Sequence, residues 1–446
     1  MKTEKIIVCS FLAVMLMPAL VFTGCSSLIS AINKDALDAF ARPFGNTNEQ
    51  SGRAASGTAN SGSPAQETQF KFTLINDGTA YSVNKGTEIS GAVVIPAAYN
   101  GLPVIMIGNS AFANTNITSV TIPSSVKFID QVAFRNCTSL TEITIPDSVT
   151  FIGYQAFNGT AWLGSQPDGL VYAGKILYQY KGTMPANTAI NNIRADTIAI
   201  AGRAFYECTG LISITIPEGV TYIEESAFSK CSSLTSITIP SSVTYIEGMA
   251  FRECSSLTSI TIPAGVKYIG QEAFASCTSL TSVTIPSSVT SIGDVAFASC
   301  RNLTSITVDT QNPAYSSVDG ILFNKNRTAL ITYPAGKQGT TYTIPSSVNE
   351  IGILAFGYCR NLTSVTIPSS VTSIGQQAFV GCTGLTSVTI PSSVNEIEQG
   401  AFNLCTSLTS VTMSRRTIIT RTVDYQGTIV QLVPVFPSRA RITYSD

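Results

Sequence analysis

Nine cysteines stand at one position of a repeating unit: Cys137, Cys208, Cys231, Cys254, Cys277, Cys300, Cys359, Cys382 and Cys405. Thiols so spaced could pair, bind metal or act as nucleophiles. The chain of 446 residues has no histidine, which removes Cys-His and Ser-His-Asp catalysis and every imidazole zinc site. One ligand every 23 residues builds a row, not a tetrahedron, so no metal or cofactor is expected. Neighbours stacked about 5 Å apart fall within disulfide limits. Nine is an odd number, however, and Thr115 and Thr160 fill the same slot in two other units. The substitution favours a small buried side chain with a weak donor facing a turn carbonyl, and thus a ladder of free thiols. The carboxylates Glu224, Glu225, Glu247, Glu272 and Asp294 are scattered, whereas glycoside hydrolysis needs a pair about 5 to 9.5 Å apart. Net charge of -1 leaves no electrostatic footprint for nucleic acid. Charged residues make up 12%, about half the usual share, so hydroxyls and amides must supply the polar surface. An enzyme is not expected.

The elements that carry these cysteines repeat. Ala-Phe pairs place phenylalanines at 112, 134, 157, 205, 228, 251, 274, 297, 356, 379 and 402, with steps of 23 and one of 22 in uninterrupted runs. Repeats of this kind cannot bury their apolar side alone, so they stack. In the unit that begins at Leu257, the alternation through Ile260 and Ile262 predicts an inward-facing strand. Pro263 ends it, since proline cannot donate to a ladder flanked on both sides. Val266 and Ile269 predict a second, shorter inward strand. Gly270 allows a turn, and Ala273-Phe274 reads as one short helical or 3₁₀ turn. The expected fold is a solenoid, mostly β: a right-handed stack of parallel strands with inserted hairpins, about 50 Å long at ~4.8 Å per turn.

The pattern L-x-x-I-x-I-P-x-x-V-x-x-I-x-x-x-A-F-x-x-C resembles the BspA-like, treponemal-type leucine-rich repeat over roughly Ser110 to Met413. Members of that family are typically bacterial or protozoan surface proteins, several linked to adhesion to host matrix proteins or other bacteria. The resemblance implies a protein partner of that kind.

Outside the repeat, Lys2 and Lys5 precede an apolar stretch from Ile6 to Val21, which reads as a secretory signal peptide over 1–24, or as an uncleaved anchor. Phe22-Thr23-Gly24-Cys25 resembles a bacterial lipobox, although Phe22 departs from the usual Leu. That resemblance implies lipidation of Cys25, membrane attachment through it and, with Ser26 following, delivery to the outer membrane or cell surface. Residues 25–68 read as a flexible tether. A capping hairpin and first turn are expected over 69–109. The array spans 110–413 with insertions near 163–199 and 309–341, which read as matching hairpins from Asp168-Gly169 and Asp319-Gly320. A cap of strands is expected over 414–446.

Two outward rows are candidate binding faces. Ser236, Thr238, Ser259, Thr261, Ser282 and Thr284 alternate with inward residues on the first strands, as a binding face or simply as soluble strand formers. Phe128, Phe151, Tyr222, Tyr245 and Tyr268 precede the second-strand isoleucine, where later turns carry Ser291, Glu350, Ser373 and Glu396. Stacked, they would form an apolar strip for contact or pack under the insertions. The leading function is a surface lipoprotein that binds host matrix proteins or other cells. The alternative is a structural or assembly component of the envelope with no external ligand.

Overall fold

The structure is a computed structural model and describes residues 69–87, 89–419, 422–423, 429–431 and 435–445. Each repeat lays down two short strands joined at a proline corner. In one unit these are Ile260–Thr261 and Tyr268–Ile269. Ile260, Ile262, Val266 and Ile269 face inward, none more than 8% exposed, while Ser259 and Thr261 face solvent. Strands of successive turns pair in parallel and in register. Thr261 lies opposite Thr284, which lies opposite Thr307. Stacking gives a β-solenoid of about 14 turns with almost no helix.

Burial comes from the stack. The eleven Ala-Phe phenylalanines are at most 2% exposed. Their rings lie face over face, with centroids 4.7–5.6 Å apart and planes within 10°. Each buried ring stabilises the fold by about 1.5–3 kcal/mol relative to exposure.

The corner that carries Phe274 keeps the i to i−3 bonds expected of a 3₁₀ turn, from Ala273 N–H to Gly270 C=O and from Cys277 N–H to Phe274 C=O. It does not continue as helix, because Glu272 (φ 55°) and Ser276 (φ 60°) are left-handed. Their amides, with that of Phe274, donate instead to Asp294, Ala298 and Ala296 of the next turn. The corner is thus a third ladder between turns. Gly270 is required for a reason other than turn freedom. Its φ is not left-handed, but a Cβ there would sit 2.3 Å from the backbone nitrogen of Gly248 one turn earlier.

The insertions are built into the stack. Gly169–Ala173 and Ile176–Lys181 form an antiparallel hairpin whose second strand takes the ladder place ahead of Ala199–Ile200. Ile321–Asn324 and Ala329–Thr332 do the same ahead of Glu350–Ile351, with Tyr315–Val318 added on the far side. Phe70–Ile75 and Ala80–Lys85 make the equivalent start at the N-terminal end, pairing on to Leu102–Ile107. Each hairpin opens a new sheet of second strands. The buried apolar residues fall into three clusters that overlap the junctions: the first takes in Val171, Ala173, Ile176 and Tyr178 of the 169–181 hairpin with Ala199 and Ala201, and the middle one takes in Leu322. The ring stacks divide as these sheets do: Phe112 to Phe157, Phe205 to Phe297, and Tyr333 through Phe402 to Phe436. We refer to these as the N-terminal, middle and C-terminal blocks. The strand Arg441–Tyr444 pairs in parallel with Ser410–Met413 at the far end.

Candidate interaction surface

Tyr222, Tyr245 and Tyr268 open three successive second strands of the middle block, and parallel in-register pairing sets each beside the next. The rings of Tyr222 and Tyr245 stack at 4.9 Å with planes 3° apart; Tyr245 and Tyr268 lie at 6.4 Å and 49°. All three are half-buried. Phe128 and Phe151 are also half-buried and in register, but they belong to the N-terminal sheet. Ala199 faces Tyr222 where the row would continue. The five aromatics therefore form a pair and a triplet in place of one strip.

The triplet is enclosed at both ends. Tyr222 packs against the apolar cluster of the N-terminal block. Burial, then the charges of Glu247 and Asp294 and the ring hydroxyl of Tyr315, push the Tyr268 hydroxyl up to about 12. Tyr268 thus stays a neutral phenol at physiological pH. Burial likewise raises the Asp294 carboxyl. Tyr315 arrives from an inserted hairpin, so no repeat position announces it beside this row.

Ser236, Thr238, Ser259, Thr261, Ser282 and Thr284 are all exposed, as the alternation requires. One residue earlier on each strand, the threonine hydroxyls serve the stack itself. Thr235 donates to Ile212 C=O at 3.0 Å, Thr281 to Thr258 C=O at 3.3 Å and Thr304 to Thr281 C=O at 3.0 Å. One hydroxyl column binds turn to turn, and two face water. These columns lie on the first-strand sheets, across the proline corner from the tyrosines, so the two candidate faces are separate.

The nine repeat cysteines are free thiols, eight of them buried. Seven donate to the phenylalanine carbonyl of the preceding turn at 3.0–3.1 Å. Cys359 makes the same contact with Tyr333 C=O at 3.7 Å. Thr115 and Thr160 donate to the carbonyls of Phe112 and Phe157, which accounts for threonine in the slot. Burial pushes the thiols of Cys208, Cys254 and Cys300 up to about 12. The thiolate is the reactive and metal-binding form, so these side chains are chemically quiet.

Cys25, the leader and the tether lie outside the described residues. Among the described residues no helix is long and apolar enough to cross a membrane.

Two strands per turn, a proline corner and a buried Phe-Cys ladder define a leucine-rich-repeat β-solenoid. The chain belongs to the BspA type leucine-rich repeat family, whose repeat region matches residues 105–165, 196–325 and 335–428 in six copies. Proteins of this kind are interaction scaffolds. The chain is similar in structure to a leucine-rich cell surface protein from Faecalibacterium prausnitzii A2-165, with 25% identity, a TM-score of 0.45, and coverage of 88% of this chain and 96% of that one. It is also similar to a leucine-rich repeat protein from Bacteroides ovatus ATCC 8483, with 25% identity, a TM-score of 0.41, and coverage of 85% and 98%. No curated protein matches the chain.

Proposed function

We propose that this protein is exported, lipid-anchored through Cys25 at the outer membrane or cell surface, and binds a protein of the host matrix or of a neighbouring cell through the Tyr222–Tyr245–Tyr268 row. One observation carries the choice of face: three phenol rings set in register and half-buried, and so held rigid. Tyrosine combines a large apolar area with a polar tip and few rotors, and is enriched at protein contacts.

The test is capture of a panel of matrix proteins and whole bacterial cells by the wild-type chain and by the Tyr222→Ser, Tyr245→Ser, Tyr268→Ser variant. Loss of such anchors costs about 2 kcal/mol or more, roughly thirtyfold in affinity, with far-UV circular dichroism unchanged. Undiminished capture by the folded variant rejects this face. Palmitate labelling of wild type against Cys25→Ala tests the anchor. Protease shaving of intact cells distinguishes an adhesin, which is removed, from an inward-facing assembly component.

A further inference from the structure

We propose that the solenoid is three mechanically separate blocks joined at two latches, Tyr178 and Tyr315, and that it opens block by block under tension or denaturant. Within a block, neighbouring turns are tied by a ladder of second strands and a ladder of corners. The first-strand ladder also breaks inside the middle block, between Ser236–Thr238 and Ile260–Thr261, and inside the C-terminal block, between Ser364–Thr366 and Ser387–Thr389. At the corner of the first junction the tie is different in kind. The Phe157 amide, most of whose counterparts donate to an alanine carbonyl of the next turn, donates to the hydroxyl of Tyr178 at 3.1 Å. The ring stack breaks there too, with Tyr178 edge-on to Phe157 at 5.3 Å and 68°. At the second junction the Ile292 amide donates to the hydroxyl of Tyr315 at 2.7 Å. Both phenols come from inserted hairpins.

At the second junction backbone bonds add to the latch, from Ile306 N–H to Gly320 C=O and from Gly336 N–H to Leu303 C=O; at the first, the other ties are made by side chains. The Arg203 guanidinium donates to the Tyr154 hydroxyl at 2.9 Å and lies 4.2 Å from that ring's centre. The Lys181 ammonium donates to Gly164 C=O. Two observations of different kinds thus place boundaries at the same two positions: breaks between the sheets of second strands and breaks in the ring stack. A one-dimensional array is as cooperative as its weakest interface allows. Substituting the latch by phenylalanine keeps the ring and leaves one amide without its acceptor, so the interface weakens while the packing stays.

The experiment is force spectroscopy and native-state hydrogen exchange on the full chain. We expect three extension steps of roughly 300, 500 and 450 Å for blocks near 70–157, 169–308 and 315–445 at about 3.5 Å per residue. Tyr178→Phe should speed exchange in the N-terminal block tenfold or more and leave the C-terminal block at its wild-type rates. Tyr315→Phe should loosen the second junction in the same manner, and it stands in if Tyr178→Phe does not fold. Thr244→Val, which removes a single tie inside the middle block, should speed that block alone. A single cooperative extension, or equal acceleration of all three blocks by either latch variant, overturns the proposal.

Discussion

The middle and C-terminal blocks share strands, ring stacks and a cysteine ladder, yet one outward column separates them. Where the middle block carries Tyr222, Tyr245, Tyr268 and Ser291, the C-terminal block carries Glu350, Ser373 and Glu396. Parallel in-register pairing sets each residue against its own counterpart, so the column amplifies whatever chemistry it is given. Aromatic neighbours attract, and three can follow one another. Carboxylates in the same arrangement repel, and in this column a serine separates the two glutamates. Their charge still reaches Glu398: burial first, then Glu396 and Glu350, raise its carboxyl, while the Gln376 N–H bonded to it works the other way. Inward positions specify a turn. Outward positions give a block its surface.

If the inward halves are equivalent, Phe251→Ala and Phe379→Ala should cost the same, about 3–5 kcal/mol each. Both rings are fully buried between two others. Local stability from hydrogen exchange reads each cost in its own block. A gap of more than about 2 kcal/mol would break the equivalence, since context alone varies such values by that much.

Alkaline pH tests the thiols on both sides. In the middle block burial comes first, lifting Cys254 and Cys300 from an ordinary value of 9.0 to about 12. In the C-terminal block the leading cause is different, because hydrogen bonds between neighbouring thiols raise Cys382 and Cys405. The folded state holds these protons more tightly than the unfolded chain, whose thiols ionise near 9. Their stabilisation is complete below pH 9 and is lost as pH rises through 12. Melting temperature should therefore be flat up to about pH 9 as far as the thiols set it, then fall. Cys254→Thr, a residue that the slot accepts elsewhere, should reduce the slope of stability against pH by close to one proton. An unchanged slope would show that Cys254 is not among the groups responsible.

The repeat was legible in the sequence because each inward position has a narrow tolerance. Pro263, Ile269, Phe274 and Cys277 recur in type, and their spacing gave the strands, the corner and the thiol ladder. Left-handed corner positions were not legible, since Val132, Met249, Glu272 and Leu354 all occupy one without a shared side chain. There the inter-turn hydrogen bonds set the backbone, and residue type does not. The hairpins were visible as paired Asp-Gly motifs, but their role as block boundaries was not. One signal was available: Tyr333 stands one repeat period ahead of Phe356 and stacks on it as a phenylalanine would. From spacing alone the aromatic column is a single row of five. The 169–181 hairpin takes the ladder place ahead of Ala199, and the repeat strand's own alanine there parts the tyrosines from Phe151.

The smallest expected effect concerns how each block begins. The residue two before the second strand is Val220, Val243, Val266 and Val289 in the middle block, and Val348 where the C-terminal block's first such turn stands. The middle block's first such turn has Thr197 instead. Its side chain is 1% exposed, and its hydroxyl has no hydrogen-bond partner among the described residues. A polar residue is tolerable in this column when it is satisfied. Asn312 holds the same place at the second junction, donating to Pro286 and Val289 carbonyls and accepting from the Ala314 and Tyr315 amides. Thr197→Val replaces the orphan hydroxyl with a methyl of nearly equal size. It should raise stability by about 1 kcal/mol, read as a higher denaturant midpoint for the middle block. Thr197→Ser, which keeps the hydroxyl and deletes the methyl, should lower it. If both variants destabilise, the Thr197 hydroxyl contributes to the fold, and the first turn of the middle block differs from that of the C-terminal block by design of its contacts and not by an uncompensated polar group.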